Sequence, residues 1–407
     1  MNRSEVPRVD IAIVGAGPVG CVLALALSRG GIRTALVEAR TPKKWSAGSM
    51  DLRVYALSRA SQNILGRLGA WDRIANARTC SYRAMQVWEV GGRGRVEFKA
   101  EEVDESNLGH IVEGTLLGDA LSERVRATLD IAWHCPAALQ RLTVGDDAVE
   151  LTLEDGTRIR TKLVVGADGA YSRVRELAGI KVRETSYGQN AVVAHLQPER
   201  DHEHTARQIF HSDGPLALLP LADGRVSIVW STAPEHAEQL LAMNESAFGQ
   251  AVTESSDQAL GALTLASERA SFPLRRLHAE NYVGPRVALA GDAAHVVHPL
   301  AGQGMNLGLL DAAALSEVVL DARRNGRDVD DYLVLRRYER WRHAENLAMQ
   351  SAFGGFNQLF GAEIPGARSV RGLGMQIFNQ LGPAKRLAIR IALGTAGDLP
   401  ELAKPIA

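Results

Sequence analysis

The segment VDIAIVGAGPVG, residues 9–20, constrains the fold more than any other part of the chain. Its apolar run IAIV is typical of a buried strand, and PVGCVLALALSRG, residues 18–30, is typical of a helix that ends at paired glycines. The run RTALVEA, residues 33–39, predicts a second strand. These residues are therefore predicted to form a βαβ unit of a parallel sheet.

The turn between the first strand and the helix has the pattern G-x-G-x-x-G. This arrangement brings backbone N–H groups and the positive helix end against a pyrophosphate. Gly17 would let the phosphate approach, and Gly20 would let the helix pack on the strand. Glu38 closes the second strand, where a carboxylate can accept hydrogen bonds from a ribose diol, and this acid argues against a 2'-phosphate and so against NADP. The pattern predicts a dinucleotide site, with FAD and NAD both open; its candidate residues are Gly15, Ala16, Gly17, Pro18, Val19, Gly20, Glu38 and Ala39.

Two later segments favour FAD over NAD. In VVGADGAYSRVR, residues 164–175, Asp168 follows a strand, and in ALAGDAAHVVHPLAGQGMNLGLLDAAAL, residues 288–315, Asp292 follows another. A nicotinamide enzyme does not need a second acidic strand end, whereas Asp292 can bind a ribityl hydroxyl of FAD. A helix that starts near Gln303 can aim its amides at the flavin ring and favour the anionic reduced form. The alternative is that each aspartate only caps the helix that follows it.

Composition narrows the class of protein. The chain has 407 residues, 46 Lys and Arg against 47 Asp and Glu, and a net charge of −1, so nucleic acid is not expected as a partner. The three cysteines show no C-x-x-C spacing, which favours a reducing cytoplasm, and no stretch reaches the roughly 18 apolar residues of a membrane span. His202, Glu203 and His204 lie in a charged run that we interpret as a solvated loop, so no metal site is predicted.

Two Asp-Gly hairpin signals lie beyond the βαβ unit. They are LTLEDGTRIR at 151–160 and LPLADGRVSIVW at 219–230, and residues 185–275 are predicted to form an antiparallel sheet layer. In RVALAGDAAH, residues 286–295, a buried strand is predicted that ends at Gly291 and Asp292. Helices are predicted from Gln303 to about Ala322 and from about Val329 to Ala352, with glycine-punctuated helical sequence to the end. The predicted fold class is α/β: a Rossmann-type FAD-binding domain, an inserted mixed or antiparallel β-sheet substrate domain, and C-terminal helices. The expected boundaries are 1–80, 101–184 and 281–352 for the FAD-binding domain, 81–100 and 185–280 for the substrate domain, and 353–407 for the C-terminal helical segment.

At these motifs the sequence resembles the group A flavoprotein aromatic monooxygenases, which have the p-hydroxybenzoate hydroxylase fold. HPLAGQGMNLGLLD and DLRVYALSRASQNILGRLGAW, residues 51–71, resemble the ubiquinone-biosynthesis hydroxylase branch of that family. The resemblance implies bound FAD, NAD(P)H or another reductant as a transient electron donor, and O2 as co-substrate. It further implies that a flavin C4a-hydroperoxide transfers oxygen to the ring of a polyprenyl phenol or quinol in ubiquinone biosynthesis.

The resemblance also carries roles to particular residues. Glu38 would bind the adenosine ribose, Arg53 would lie near the pyrophosphate and flavin, Asp168 would serve cofactor binding and reductant access, and Asp292 would hold the ribityl chain. Pro299 would present its carbonyl to the substrate hydroxyl, and the backbone of Gly302, Gln303, Gly304, Met305 and Asn306 would line the reactive flavin edge. The sequence departs from the family at Gly114 and Thr115, where members often carry Asn or Gln and then Arg, so one polar cofactor contact is in question.

Several alternatives remain open from the sequence. They are a hydroxylase of a soluble aromatic acid such as salicylate, a non-catalytic flavin-binding assembly subunit, and an NAD dehydrogenase. Residues 366–397 are basic and amphipathic, which fits either a peripheral contact with the inner face of the cytoplasmic membrane, a contact with a ubiquinone-biosynthesis complex, or packing on the protein's own body. A homo-oligomer is also left open.

Overall fold

A computed structural model describes residues 8–92, 94–298, 302–361 and 367–405. The helices in these ranges are α1 (Pro18–Arg29), α2 (Arg59–Arg67), α3 (Trp71–Ala75), α4 (Gly114–Arg126), α5 (Arg173–Leu177), α6 (Pro234–Ala242), α7 (Glu245–Ser255), α8 (Gln303–Arg324), α9 (Tyr332–Gly361), α10 (Ala367–Gln380) and α11 (Gly382–Ala392). The strands are β1 (Arg8–Val14), β2 (Thr34–Val37), β3 (Val54–Leu57), β4 (Thr79–Tyr82), β5 (Ala84–Glu89), β6 (Arg95–Lys99), β7 (Gly109–Glu113), β8 (Ile131–His134), β9 (Leu139–Val144), β10 (Val149–Leu153), β11 (Arg158–Gly166), β12 (Val182–Pro198), β13 (Thr205–His211), β14 (Gly214–Pro220), β15 (Val226–Thr232), β16 (Leu263–Leu265), β17 (Ala270–Ala279), β18 (Val283–Gly284), β19 (Val287–Leu289) and β20 (His295–Val296).

The first sheet is built on the predicted βαβ unit. Its strand order is β18-β19-β11-β1-β2-β8, and β19, β11, β1, β2 and β8 run parallel. The carboxyl-terminal parts of the central strands, Ile11–Val14 and Leu163–Val165, are apolar and buried, as is typical of a parallel sheet covered on its faces. In register, Val14 pairs with Val37 of β2 and with Gly166 of β11, and Gly166 pairs with Leu289 of β19. The carboxyl ends of four neighbouring strands are therefore level.

The second sheet contains nine strands in the order β20-β17-β12-β15-β14-β13-β5-β6, with β16 paired to β12. Both Asp-Gly hairpins are confirmed: β10 pairs antiparallel with β11, and β14 pairs antiparallel with β15. Two strands within residues 81–100, β5 and β6, also belong to this sheet. One pairing differs from the predicted antiparallel layer, since β13 and β5 run parallel.

The two faces of this second sheet differ in burial. Alternate residues of β12, β14 and β15, among them Val192, Leu216 and Ile228, are fully buried and share a core with Leu240 of α6 and Phe248 of α7. Of the residues between them, Val193, Ala217 and Val229 are half-buried, whereas Ala191, His195, Ser227 and Ser231 are buried. One face thus packs on helices, and the middle of the other face, around Val193, Ala217 and Val229, is partly open, as the wall of a cleft would be.

A small antiparallel sheet, β3-β7-β4, lies between the two larger ones. Its Ala56, Cys80 and Ile111 share an apolar cluster with Leu219 and Leu221, which flank the end of β14. Because the same strand β3 also contacts α8, this sheet connects the insert to the first sheet.

The helical region predicted from Gln303 onward is confirmed with shifted limits. The helix predicted at Val329–Ala352 extends from Tyr332 to Gly361, and α10 and α11 follow it. Two helices, α6 and α7, interrupt the region predicted as sheet only. Within the described ranges, no helix combines the length and the apolar character needed to cross a bilayer.

Candidate functional site

Four neighbouring parallel strands each end at a predicted cofactor residue. Gly15 follows β1, Glu38 follows β2, Asp168 lies two residues after β11, and Asp292 lies three residues after β19. Ligands of open parallel sheets bind outside the carboxyl ends of the strands. The topology therefore gathers these distant segments along one edge of the sheet.

Close backbone packing holds the glycine turn in place. Gly15 has φ +101°, and a Cβ placed on it would lie 2.3 Å from the Ala167 carbonyl oxygen, so this position requires glycine. A Cβ on Gly20 would lie 1.9 Å from the Gly15 carbonyl oxygen. Gly17 differs, because a Cβ there would meet no atom within 4 Å. The turn is thus tightly packed on its protein side and open at Gly17, as a phosphate cradle requires.

Glu38 is tied to the same turn. Its Oε2 accepts a hydrogen bond of 2.7 Å from the Ala16 N–H, and its Oε1 accepts one of 3.0 Å from the Arg40 N–H. These bonds fix the carboxylate beside the glycine turn. Ala39, the next residue, is exposed.

Asp168 caps a helix and also keeps a free acceptor. Its Oδ2 accepts hydrogen bonds from the N–H groups of Arg173 at 2.7 Å and Val174 at 3.1 Å, at the start of α5. Its Oδ1 is buried and has no partner among the described residues. Desolvation raises the pKa of this carboxyl, partly offset by the hydrogen bonds it accepts. A buried acceptor without a donor is costly, so a ligand hydroxyl or N–H is the natural complement.

Asp292 lines a narrow cleft. The residue is exposed, yet burial among surrounding protein atoms raises the pKa of its carboxyl, with the charges of His295 and Arg53 acting in the opposite direction. Both facts hold for a side chain that faces a cavity inside the protein rather than open solvent. Arg53 lies on the same side, with its guanidinium 5.1 Å from the Tyr55 ring centroid. The structure thus brings Arg53 and Asp292 within electrostatic reach of each other.

The amino end of α8 completes this edge. Gly302 precedes the helix with φ +64°, and a Cβ on it would lie 3.0 Å from Ala56 Cβ. No described side chain caps the first turn, so the N–H groups of Gln303, Gly304 and Met305 can serve another acceptor. Asn306 is different: its Nδ2 donates to the Ala56 carbonyl oxygen and its Oδ1 accepts from the Ser58 N–H, so its side chain joins α8 to β3. Pro299 lies outside the described residues.

The position at which the sequence departs from the family is filled by backbone. The Gly114 N–H donates to the Arg53 carbonyl oxygen at 2.7 Å, and the Thr115 N–H donates to Asp51 Oδ2 at 2.9 Å. A Cβ on Gly114 would lie 3.3 Å from that carbonyl oxygen. This close approach leaves little room for the longer polar side chain that family members carry.

Comparisons with known proteins agree with this arrangement. Residues 8–351 match the family described as FAD binding domain. The chain is 41% identical over 386 residues to the 3-demethoxyubiquinol 3-hydroxylase of Escherichia coli K12, covering 95% of this chain and 98% of that protein. The chain belongs to the FAD-dependent aromatic monooxygenases. Ubiquinone hydroxylase UbiL of Rhodospirillum rubrum is 36% identical over 393 residues, covering 96% and 91% of the two chains. The solved structure of p-nitrophenol 4-monooxygenase PnpA from Pseudomonas putida superposes with a TM-score of 0.77 at 20% identity, over 95% of this chain and 99% of that one, and shows the shared fold.

The residues of this monooxygenase fit FAD. The open cradle at Gly17, the unpartnered Asp168 Oδ1, the cleft-facing Asp292 and the uncapped α8 are the complements that a long dinucleotide with a polyol chain needs. Bound FAD supplies the oxygen activation, with O2 and NAD(P)H as the co-substrates of the family.

One buried network of the monooxygenase was missed from the sequence. Asp311 of α8 is fully buried and accepts hydrogen bonds from four donors: Gly291 N–H at 3.1 Å, His295 Nε2 at 2.5 Å, Arg342 Nε at 2.8 Å and Asn346 Nδ2 at 3.1 Å. Burial alone would raise the pKa of Asp311, but His295 and Arg342 hold it well below its ordinary value. The available signal was an acid inside the apolar run LGLLDAAAL. Since Gly291 precedes Asp292, the network positions the turn that carries the expected ribityl contact.

A second acid, Glu113, organises the segment before Arg53. It is 2% exposed, and it accepts hydrogen bonds from the Asp51 N–H at 2.8 Å, Arg78 Nε at 2.8 Å and Trp45 Nε1 at 3.1 Å. No motif marked it in the sequence.

Three histidines near the site contact protein oxygen atoms. His298 is 1% exposed, and its Nε2 lies 3.3 Å from Gln189 Oε1. His202 Nε2 lies 3.0 Å from the Leu221 carbonyl oxygen and His204 Nδ1 lies 2.8 Å from that of Ser81. A search of the described residues finds no cluster of His, Cys, Asp or Glu suited to a metal ion. Cys21 is buried in the core, and burial raises its pKa to about 12.

Proposed function

We propose that this monooxygenase hydroxylates the aromatic ring of a polyprenyl phenol or quinol, an intermediate of ubiquinone biosynthesis. The two relatives reported above bear the names of ubiquinone-pathway hydroxylases, and each matches nearly the whole chain. The observation that carries the choice of substrate class is the uncharged lining of the cleft under the second sheet.

That lining follows from strand register. Val193 of β12 pairs with Val229 of β15, which pairs with Ala217 of β14, so the three side chains share one face. The face points toward the flavin side, because His195, two residues from Val193, has its Nε2 3.0 Å from the Asp51 carbonyl oxygen. On β12, β14 and β15 this face carries Ala191, Val193, His195, Pro215, Ala217, Leu219, Ser227, Val229 and Ser231.

None of these nine positions carries a carboxylate or a guanidinium. A substrate with its own carboxylate, such as salicylate, would need a cationic partner when it leaves water. An apolar prenyl substituent gains from burial against Val, Ala and Leu side chains. The lining therefore favours a prenylated ring over a soluble aromatic acid.

The chain's own residues have distinct proposed roles in this reaction. Gly15, Ala16, Gly17, Pro18, Val19 and Gly20 would hold the pyrophosphate, and Glu38 and Ala39 would contact the adenosine ribose. Arg53, Asp168 and Asp292 would bind along the dinucleotide, while Gly302, Gln303, Gly304, Met305 and Asn306 would line the flavin edge with their backbone. Pro299 is proposed to orient the substrate hydroxyl. We also propose the domain boundaries given under Sequence analysis as those of the folded protein.

The test is an oxygen-transfer assay on the purified holoenzyme. With NAD(P)H and isotopically heavy O2, a short-chain prenyl quinol should stimulate reductant oxidation and acquire one heavy oxygen atom, whereas salicylate should do neither. Oxidation without label in the product would show that reduced flavin only releases peroxide. No stimulation by any phenol or quinol would support the alternative of a flavin-binding assembly subunit.

A genetic measurement identifies the step. Lipids extracted from a deletion strain should contain a prenylated intermediate that lacks one ring oxygen, and its position names the carbon that is hydroxylated. Unchanged ubiquinone in that strain would contradict the proposed pathway.

A further inference from the structure

Helices α10 and α11 and the turn between them expose several large apolar side chains, which together we call the C-terminal apolar face. Among the described residues, fourteen large apolar side chains are exposed, and six of them fall within residues 370–391. Their exposed fractions range from 45% to 72%; the six are Val370, Leu373, Ile377, Leu381, Leu387 and Ile391. Val370, Leu373 and Ile377 recur at three- and four-residue intervals on α10, and Leu387 and Ile391 lie four residues apart on α11, so each set lies on one side of its helix. Leu381 lies in the turn between the two helices.

The opposite side of the two helices is fixed to the protein. Arg371 donates from Nε to Glu89 Oε2 at 3.1 Å, and Lys385 Nζ lies 2.8 Å from Glu102 Oε2. Phe378 packs edge-on against Phe98 with 6.3 Å between ring centroids. These three contacts fix the rotation of both helices about their axes. The apolar side chains on the opposite side therefore face outward.

Charge indicates what the face contacts. Residues 367–397 contain five basic residues and no acid, although the whole chain has a net charge of −1. Arg371 and Lys385 turn inward to their carboxylates. Arg386 and Arg390, one turn apart on α11, are exposed and form no ion pair with any described residue. Exposed apolar side chains bordered by unpaired cations are the complement of an anionic lipid surface, which offers both an acyl boundary and phosphates.

The face also adjoins the candidate flavin edge. Gln303 Nε2 lies 3.5 Å from the carbonyl oxygen of Ala392, the last residue of α11, and the Ala60 N–H donates to the Leu393 carbonyl oxygen at 3.1 Å. Ile391, on the apolar face, directly precedes Ala392. A bilayer against this face would therefore lie beside the start of α8.

We propose that the C-terminal apolar face docks on an anionic lipid bilayer and brings the flavin edge to the bilayer surface. The inference rests on the proposed function, since only a membrane-held substrate makes the position useful. It commits the amphipathic tail to a lipid surface rather than to a protein partner.

Vesicle flotation of the holoenzyme tests the proposal. Binding is expected to vesicles in which roughly a third of the phosphatidylcholine is replaced by phosphatidylglycerol, and much less to phosphatidylcholine alone. Arg386→Gln with Arg390→Gln should weaken binding to the anionic vesicles about 30-fold, because each arginine near such a surface contributes a factor of about five. Leu373→Glu with Leu387→Glu should weaken it at least roughly 10-fold.

Leu129→Glu is the matched control, because Leu129 is fully exposed and lies outside the face. It should bind like the unaltered protein, and all variants should keep the same FAD content and melting temperature. Absence of binding to anionic vesicles, equal binding by all variants, or equal binding to neutral vesicles would overturn the proposal. A face that instead holds a second copy or another protein would give a size change on Leu387→Glu without any vesicle binding, which also overturns it.

The outcome is separable from that of the proposed function. Hydroxylation of a short-chain quinol is measured without vesicles, so vesicle binding without hydroxylation removes the function and leaves the docking surface. Hydroxylation without vesicle binding removes the docking surface and leaves the proposed function.

Discussion

Replacing Asp311 by Asn tests whether the buried network positions the Asp292 turn. The carboxylate accepts from four donors, two at each oxygen, whereas an amide offers one acceptor oxygen. Two donors would face an NH2 group, and the Arg342 guanidinium would lose its buried counter-charge. Breaking a buried ion pair costs about 3–5 kcal/mol, which is a large part of the roughly 5–15 kcal/mol that stabilises a domain.

The effect on FAD is expected to exceed the effect on folding. Gly291 N–H and His295 Nε2 both bind Asp311 Oδ2, and these two residues flank Asp292 on either side. When Gly291 and His295 are no longer held by Asp311, the Asp292 carboxylate loses its fixed position and its hydrogen bond to FAD is weakened. A hydrogen bond to a charged group contributes about 1.5–3 kcal/mol. We therefore expect the Kd for FAD to rise roughly 10- to 150-fold.

The assay pairs urea unfolding of the apoprotein with FAD titration under conditions where the variant is folded. Asp330→Asn is the matched control, because it breaks the Arg286–Asp330 ion pair at the amino end of β19, away from the candidate site. It should lower stability and leave the Kd for FAD unchanged. If folded Asp311→Asn binds FAD as tightly as the unaltered protein, the network only stabilises the fold, and our reasoning about the turn is wrong.

Two further predictions concern substitutions in the glycine turn and the dependence of stability on pH. Gly17→Val should leave the apoprotein fold intact, because its side chain enters open space, but it should raise the Kd for FAD at least roughly 10-fold. Gly15→Ala should lower the free energy of unfolding by about 2–4 kcal/mol, because its Cβ would clash with the Ala167 carbonyl. Equal unfolding curves for the two variants would contradict this difference. Burial lowers the pKa of His298 and of His278 to about 4. Between pH 6.5 and 4 the unfolded chain therefore binds protons that the folded chain does not. The free energy of unfolding should decrease as the pH is lowered through that range. At pH 5 each histidine should lower the free energy of unfolding by about 1–2 kcal/mol. The melting temperature should therefore decrease from pH 7 to pH 5, and it should decrease less in His298→Gln. A melting temperature that stays constant from pH 7 to 5 would contradict the lowered pKa values.

Local patterns explain which parts of the fold were predictable from the sequence. The βαβ unit and both Asp-Gly hairpins depend on residues close together in the chain, and all three are confirmed. The parallel pairing of β13 with β5 joins residues more than 100 positions apart, and nothing in either strand specifies that partner. Helices α6 and α7 were missed because the strands on both sides dominate the alternating pattern.

The candidate site was predictable only where a motif fixes the backbone. Asp168 illustrates the limit: the sequence offered a helix cap or a ligand contact, and the structure gives one oxygen to each use. Asp311 could not be assigned, because a single acid in an apolar helix face reveals neither its depth nor its partners. Arg342 and Asn346 reach it from α9, 31 and 35 positions away.

The glycines, which have no side chain, bring the segments of the site together more than the acidic side chains do. Gly15 lies against Ala167, Gly291 against Val19, and Gly302 against Ala56, and each contact joins two segments that carry different candidate residues. A Cβ at Gly15 or Gly302 would come within about 3 Å of its neighbour, so the neighbouring segments would have to separate. Contacts from Glu38, Asp168 or Asp292 act singly and change affinity by a few kcal/mol at most. The glycines instead set whether these carboxylates face one cleft at all, and for that reason the spacing of the glycines carried more information than the acids did.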